Sequence, residues 1–160
     1  RGLGDVYKRQ EKIKVADFLS EIIVPYEMIA KAKKIHFSVN ISSNDEIVTD
    51  KNLLRKAISN IIMNAVLYTE TGKSVELNYT QYMLEIVNEG EIIEGENLKK
   101  IFEPFFRMES SHSREHGGSG LGLYIVHTIL TILDIPYDFR KSHTNELQMK
   151  FVIYFRNKIK

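Results

Sequence analysis

Gly117-Gly118-Ser119-Gly120-Leu121-Gly122-Leu123-Tyr124-Ile125-Val126 is the stretch on which the fold turns: four glycines run straight into an apolar, helix-forming segment. A glycine inside a helix costs about 1 kcal/mol relative to alanine, so a helix gains nothing from opening this way unless bare backbone is required. Bare backbone suits anions. Without Cβ atoms, N–H groups can close on a phosphate, and the following helix adds its unsatisfied N–H groups and the positive end of its dipole. A loop that merely abuts a helix is the competing reading. The spacing matches neither the strand-led Gly-x-Gly-x-x-Gly of dinucleotide folds nor a Walker loop, because no Gly-Lys-Ser/Thr follows. The decision rests on what lies upstream.

The 160 residues suit one compact domain, and 43% hydrophobic residues are enough for a core. A formal net charge of +1, with no lysine/arginine stripe interleaved with aromatics, gives no reason to expect nucleic acid. Cysteine is absent, which excludes disulfides, thiolate chemistry and cysteine zinc sites. No apolar run approaches the roughly 20 residues that span a bilayer, and no basic-then-apolar leader opens the chain, so direct membrane insertion of this piece is not expected. The start at Arg1 suggests a piece of a longer protein, expected to be monomeric alone.

Arg1 to Gln10 shows neither helical nor strand period and is set outside the fold, as an appended remnant or the end of a preceding segment; residues 11–160 form the domain. Ile13 and Val15 alternate as a short strand, and Asp17 is expected to cap a helix carrying Phe18, Ile22, Ile23, Tyr26, Met28 and Ile29, with Pro25 inside it. Alternation over Ile35–Ile41 and a brief Ile47-Val48 pair give two strands. Asp50 caps the next helix, whose apolar positions run from Leu54 to Ala65. Asn60 and Asn64 interrupt that pattern four residues apart, hence one turn above each other on one face, and Tyr68 continues the row. Unpaired amides among apolar groups cost about 1–3 kcal/mol each. Either a neighbouring helix satisfies them, or their oxygens face a cavity and hold a hydrated divalent cation with the phosphates it bridges.

Val75–Tyr79 and Tyr82–Ile86 alternate in hairpin order, ending at Val87-Asn88-Glu89-Gly90, where a short amide and a glycine can meet a ligand's edge. Glu96 to Phe102 reads as a short helix stopped by Glu103-Pro104-Phe105-Phe106-Arg107, and Met108 to His116 as a mobile loop. Beyond the glycines, Leu123–Leu133 is an amphipathic helix closed by Asp134 and Pro136. Tyr137 and Phe139 make a strand, and Leu147 to Phe155 alternate along a last, well-buried one. Helices on one face of a mixed sheet are expected.

In order, Asn60-Ile61-Ile62-Met63-Asn64-Ala65, Val87-Asn88-Glu89-Gly90, Phe102-Glu103-Pro104-Phe105-Phe106-Arg107 and Gly118-Ser119-Gly120-Leu121-Gly122-Leu123 resemble the N box, first glycine box, F box and second glycine box of the ATP-binding catalytic domain of bacterial sensor histidine kinases. The resemblance covers roughly residues 12 to 156, and within the family the wording is most like the vancomycin-response (VanS- or VncS-like) sensors. It implies a Bergerat-type (GHKL) two-layer α/β sandwich, a mixed β-sheet covered on one face by helices, with ATP bound under a flexible lid. It further implies Asn64 as the Mg2+ ligand, Asn60 beside it toward the phosphates, and Tyr68 against the nucleobase. Asn88 would face the adenine amino group, Gly90 would let the strand end approach the base, and Gly118, Ser119, Gly120, Leu121 and Gly122 would hold phosphate. Arg107 and Arg114 would offset phosphate charge, and Phe105 and Phe106 would anchor the lid, face the partner helix, or serve as plain core.

None of His36, His112, His116, His127 or His143 sits in the family's phosphoacceptor motif. The resemblance therefore implies that the γ-phosphate goes to a histidine on a separate dimerisation domain, then to a response regulator, on the cytoplasmic side of a membrane-bound sensor. Three positions depart from the pattern: Asn88 for aspartate, Ile92 for a glycine, and Leu67 for a lysine or arginine. Rivals are a GHKL-fold ATPase like gyrase B, Hsp90 or MutL, an anti-sigma-type serine kinase, and a degenerate binding module. The ATPases place a glutamate at the Asn60 position to activate water, which an amide cannot do.

Overall fold

The computed structural model describes residues 9–107 and 122–159. Its centre is a five-stranded mixed sheet in the order β2 (His36–Ile41), β4 (Ser74–Thr80), β5 (Met83–Asn88), β7 (Met149–Tyr154), β6 (Tyr137–Lys141). β2 and β4 are parallel, with His36 opposite Ser74, and every other neighbour is antiparallel. Val75, Leu77 and Tyr79 of β4 are buried while Ser74, Glu76 and Asn78 between them are half-exposed, the period of a sheet with one covered face. The helices on that face are α1 (Val15–Ala32), α2 (Lys51–Leu67) and α4 (Gly122–Leu133), the short α3 (Glu96–Lys100) following β5: α1 packs on β2, α2 on β5, and α2 lies between α1 and α4. Leu54, Ile58 and Ile62 of α2 join Leu77, Leu84, Val126 and Leu130 in one core. The expected two-layer α/β architecture is the one adopted, and β7 is an interior strand. Among the described residues no helix is long and apolar enough to cross a membrane.

Several expectations are corrected. Gln10, set outside the fold, opens β1 (Gln10–Lys14), which pairs antiparallel with β3 (Glu46–Asp50) as a separate two-stranded sheet, Gln10 opposite Asp50. The strand ends at Lys14, so Val15 begins α1 and Asp17 lies in its first turn rather than capping it. The cap is tertiary: Val15 N donates to the Asp45 carbonyl (2.9 Å) and Ala16 N to Asn44 Oδ1 (3.0 Å), two of the N–H groups that a local cap would serve. Met28, counted among the apolar positions of α1, is 69% exposed, and Leu147 is exposed before β7 begins. Asp50 caps α2 as expected, its Oδ1 accepting from Leu53 N at 3.0 Å.

The C-terminus of α2 is closed without a glycine. Its last four carbonyls all find donors: Asn64 from Tyr68 N (3.1 Å), Ala65 from the Thr69 hydroxyl (2.7 Å), Val66 and Leu67 from Lys33 Nζ (2.8 and 3.1 Å). Partial burial pushes the Lys33 ammonium below its usual range. This closure fixes where Tyr68 and Thr69 stand relative to the end of β5, and Thr69 bridges to Gly90 there.

Candidate functional site

Asn60 and Asn64 project from α2 toward the first residue of α4. Asn60 Nδ2 donates back to the Lys56 carbonyl at 2.8 Å, which turns Asn60 Oδ1 outward. A Cβ on Gly122 would lie 3.9 Å from Asn64 Oδ1 and 4.0 Å from Asn60 Oδ1. Two amide oxygens thus face the N-terminus of α4 across a gap of one side chain's width. Among the described residues the amide oxygens face a cavity, which Asn60 and Asn64 both line.

That cavity has a volume of about 320 Å³, at the small end for ligand pockets of roughly 300–1,000 Å³. Asn60, Asn64, Tyr68, Asn88, Arg107 and Gly122 all line it. Ile86 of β5 with Met149 and Phe151 of β7 form an apolar floor, and Ile93, Ile101 and Phe106 form a wall from the segment after β5. Phe102 underpins that floor, edge-on to Phe139 and Phe151 with ring centroids 6.0 and 6.4 Å away. The result is an apolar slot with neutral oxygens at one end and a cation, Arg107, at its rim. Glu91 is its one carboxylate among the described residues.

At the far end, Asn88 Nδ2 donates to the Thr69 hydroxyl at 3.2 Å. Gly90 is not among the residues lining the cavity; a Cβ there would meet Asn88 Nδ2 at 2.5 Å and the Tyr68 carbonyl oxygen at 2.7 Å, so its bareness serves the packing of the β5 end against α2. Leu67, a departure from the lysine or arginine of the family pattern, also lines the hollow. Phe106 lines it too, whereas Phe105 is 71% exposed with φ of 67°, which removes the plain-core reading for Phe105. Arg114, Gly118, Ser119, Gly120 and Leu121 lie outside the described residues.

Sequence reasoning passed over Thr69, fully buried against Asn88, because a threonine two residues past a helix reads as punctuation. It also passed over the floor residues Met149 and Phe151, which strand alternation marks only as core. No group of three or more His, Asp or Glu able to hold a metal occurs among the described residues. A cation here would rest on amide oxygens, water and its ligand's own oxygens, a set that suits magnesium, which keeps several waters.

Comparison with known proteins gives the family and the fold. Residues 49–157 match the family described as histidine kinase-, DNA gyrase B-, and HSP90-like ATPase. The sensor protein VanSB of Enterococcus faecalis is 31% identical over 138 residues, covering 84% of this chain and 31% of that protein. The sensor histidine kinase CusS of Escherichia coli is 28% identical over 125 residues, covering 76% and 26% respectively. Among solved structures, the mycobacterial sensor histidine kinase MprB superposes with a TM-score of 0.73 at 23% identity, over 91% of this chain and 97% of that one, a likeness of fold. The chain spans less than a third of the length of VanSB and CusS.

Proposed function

This chain belongs to the histidine kinase-, DNA gyrase B-, and HSP90-like ATPase family, and from that membership we propose that it presents the γ-phosphate of ATP to a histidine on a dimerisation domain outside this sequence. It is an ATP-binding catalytic domain of the sensor histidine kinase kind. Onward transfer to an aspartate on a response regulator, and a place on the cytoplasmic side of a membrane sensor, belong to the same proposal. The observation that carries it is the meeting of Asn60 Oδ1 and Asn64 Oδ1 with Gly122 at one end of a slot whose other end is Asn88.

Phosphoryl transfer is mostly positioning and charge neutralisation. In this reading the apolar floor and Tyr68 take the base, and Asn88 accepts from its amino edge. Asn64 and Asn60 orient the triphosphate, while Arg107, Arg114 and the N–H groups from Gly118 to Gly122 hold phosphate oxygens. Magnesium, when bound at Asn64, supplies charge neutralisation across the phosphates. Asn60, an amide where a hydrolase needs a carboxylate, withholds general-base help from water and preserves the γ-phosphate for an imidazole. The test is phosphotransfer in the presence of Mg·ATP and an added dimerisation domain, with acid-labile phosphohistidine expected. Steady hydrolysis by the chain alone, abolished in Asn60→Ala, overturns the reading.

A further inference from the structure

The Asn88 carboxamide is chemically two-faced: its oxygen accepts and its nitrogen donates, so it can meet either a donor or an acceptor on a base. Adenine offers an exocyclic amino donor at the edge where guanine or hypoxanthine offers the O6 acceptor. An aspartate would choose between them by being acceptor-only; an asparagine must be told which way to face. We infer that Thr69 is the residue that tells it, a positioning residue that makes this site select adenine through Asn88. The inference rests on the nucleotide-binding reading of the cavity given above.

The argument is a proton count. The Thr69 hydroxyl has one hydrogen, and it is donated to the Ala65 carbonyl at 2.7 Å, a buried oxygen at the end of α2. Thr69 is itself 0% exposed, so water cannot take over either role. Towards Asn88 the hydroxyl can therefore only accept, and it does so from Nδ2 at 3.2 Å. Turning the carboxamide over would set Asn88 Oδ1 against a hydroxyl lone pair, or strip the Ala65 carbonyl of its donor; either leaves a buried polar group unsatisfied. Gly90 leaves the carboxamide its room, because any Cβ there would stand 2.5 Å from Nδ2; the direction in which it faces is set by the Thr69 hydroxyl. With Nδ2 held inward, Oδ1 is the atom left to meet a base edge.

Titrations of the chain with Mg·ATP and with Mg·ITP, whose base carries O6 without a second amino group, test this. The unaltered chain is expected to prefer ATP by at least about tenfold, as a site loses when a hydrogen-bond partner is replaced by its opposite. Thr69→Val, which keeps the shape and removes the acceptor, brings the ratio within about threefold; Thr69→Ser keeps it; and the double variant Thr69→Val with Asn88→Asp restores it, because a carboxylate cannot donate. Should Thr69→Val not fold, the unaltered chain still decides by nuclear Overhauser contacts: Asn88 side-chain amide protons are expected close to the Thr69 methyl. A wild-type ratio in Thr69→Val, no restoration in the double variant, or absence of those contacts overturns the inference while leaving the nucleotide site standing. No saturable binding of either nucleotide by the unaltered chain removes the site and the inference together.

Discussion

Gly122, the first residue of α4, faces Asn64 across a space that one Cβ would fill at 3.9 Å from Asn64 Oδ1. That distance is ordinary van der Waals contact, so Gly122→Ala is compatible with the fold and gains helix propensity. Its expected effect on stability is about 0.5–1 kcal/mol in favour. The same methyl would stand within 4.0 Å of both carboxamide oxygens, and Mg·ATP affinity is expected to fall about tenfold. Thermal melting and nucleotide titration on one sample check both signs.

Lys33 ties α1 to α2 by donating to the Val66 and Leu67 carbonyls. Lys33→Met keeps the aliphatic stem and leaves both oxygens without their donor. A loss of about 1–3 kcal/mol is expected in urea unfolding, with Tyr68 and Thr69 the first residues to lose amide protection.

Asp45 anchors the loop before β3. Its Oδ2 accepts from the Tyr79 hydroxyl at 2.7 Å, the Tyr82 N–H at 3.0 Å and the Ser43 hydroxyl at 3.0 Å. Partial burial works to raise this carboxyl, but the bonds from Tyr79, Ser43 and Tyr82, with the Arg156 charge, outweigh it and hold the group below the usual carboxylate range. Burial, then Asp45 itself, pushes the Tyr79 phenol well up. A carboxylate lowered in the folded state stabilises above its unfolded pKa of about 4, and that contribution is lost as pH falls through the lower folded value. Stability of the unaltered chain should therefore drop below about pH 4, and Asp45→Asn should flatten that arm while lowering stability at neutral pH.

Thr49 Oγ1 is fully buried and has no hydrogen-bond partner among the described residues. Thr49→Val replaces a desolvated hydroxyl by a methyl of the same shape, and should be neutral or stabilising by up to about 1 kcal/mol. Equilibrium unfolding that reads a loss above this would point to a partner for the hydroxyl.

What could be read from the residues was whatever repeats locally. The alternation in Val75–Tyr79 and the helical period through Leu54, Ile58 and Ile62 located the sheet and α2, and the four-residue spacing of Asn60 and Asn64 put them on one face. Long-range geometry stayed hidden. The cap of α1 comes from Asn44, 28 residues away, so Asp17 looked like the better candidate. The alternation at Ile13 announced β1, but its start at Gln10 is defined by pairing with Asp50 of β3, which no period announces. Gly90 reads as a close approach to a ligand, whereas the carbonyl it admits is that of Tyr68, which the chain brings up only after α2 is closed by Lys33. Thr69 was illegible for the same reason, since its bond to the Ala65 carbonyl four residues back gains its meaning only from Asn88, 19 residues on.

The most direct measurement is nucleotide titration of this chain and of Asn64→Ala, each with and without magnesium. The unaltered chain should saturate with Kd of about 10–100 μM for Mg·ATP, and Asn64→Ala should bind at least tenfold more weakly and with little dependence on the metal. Equal binding by both proteins, or no saturation of the unaltered chain up to millimolar nucleotide, would contradict the account.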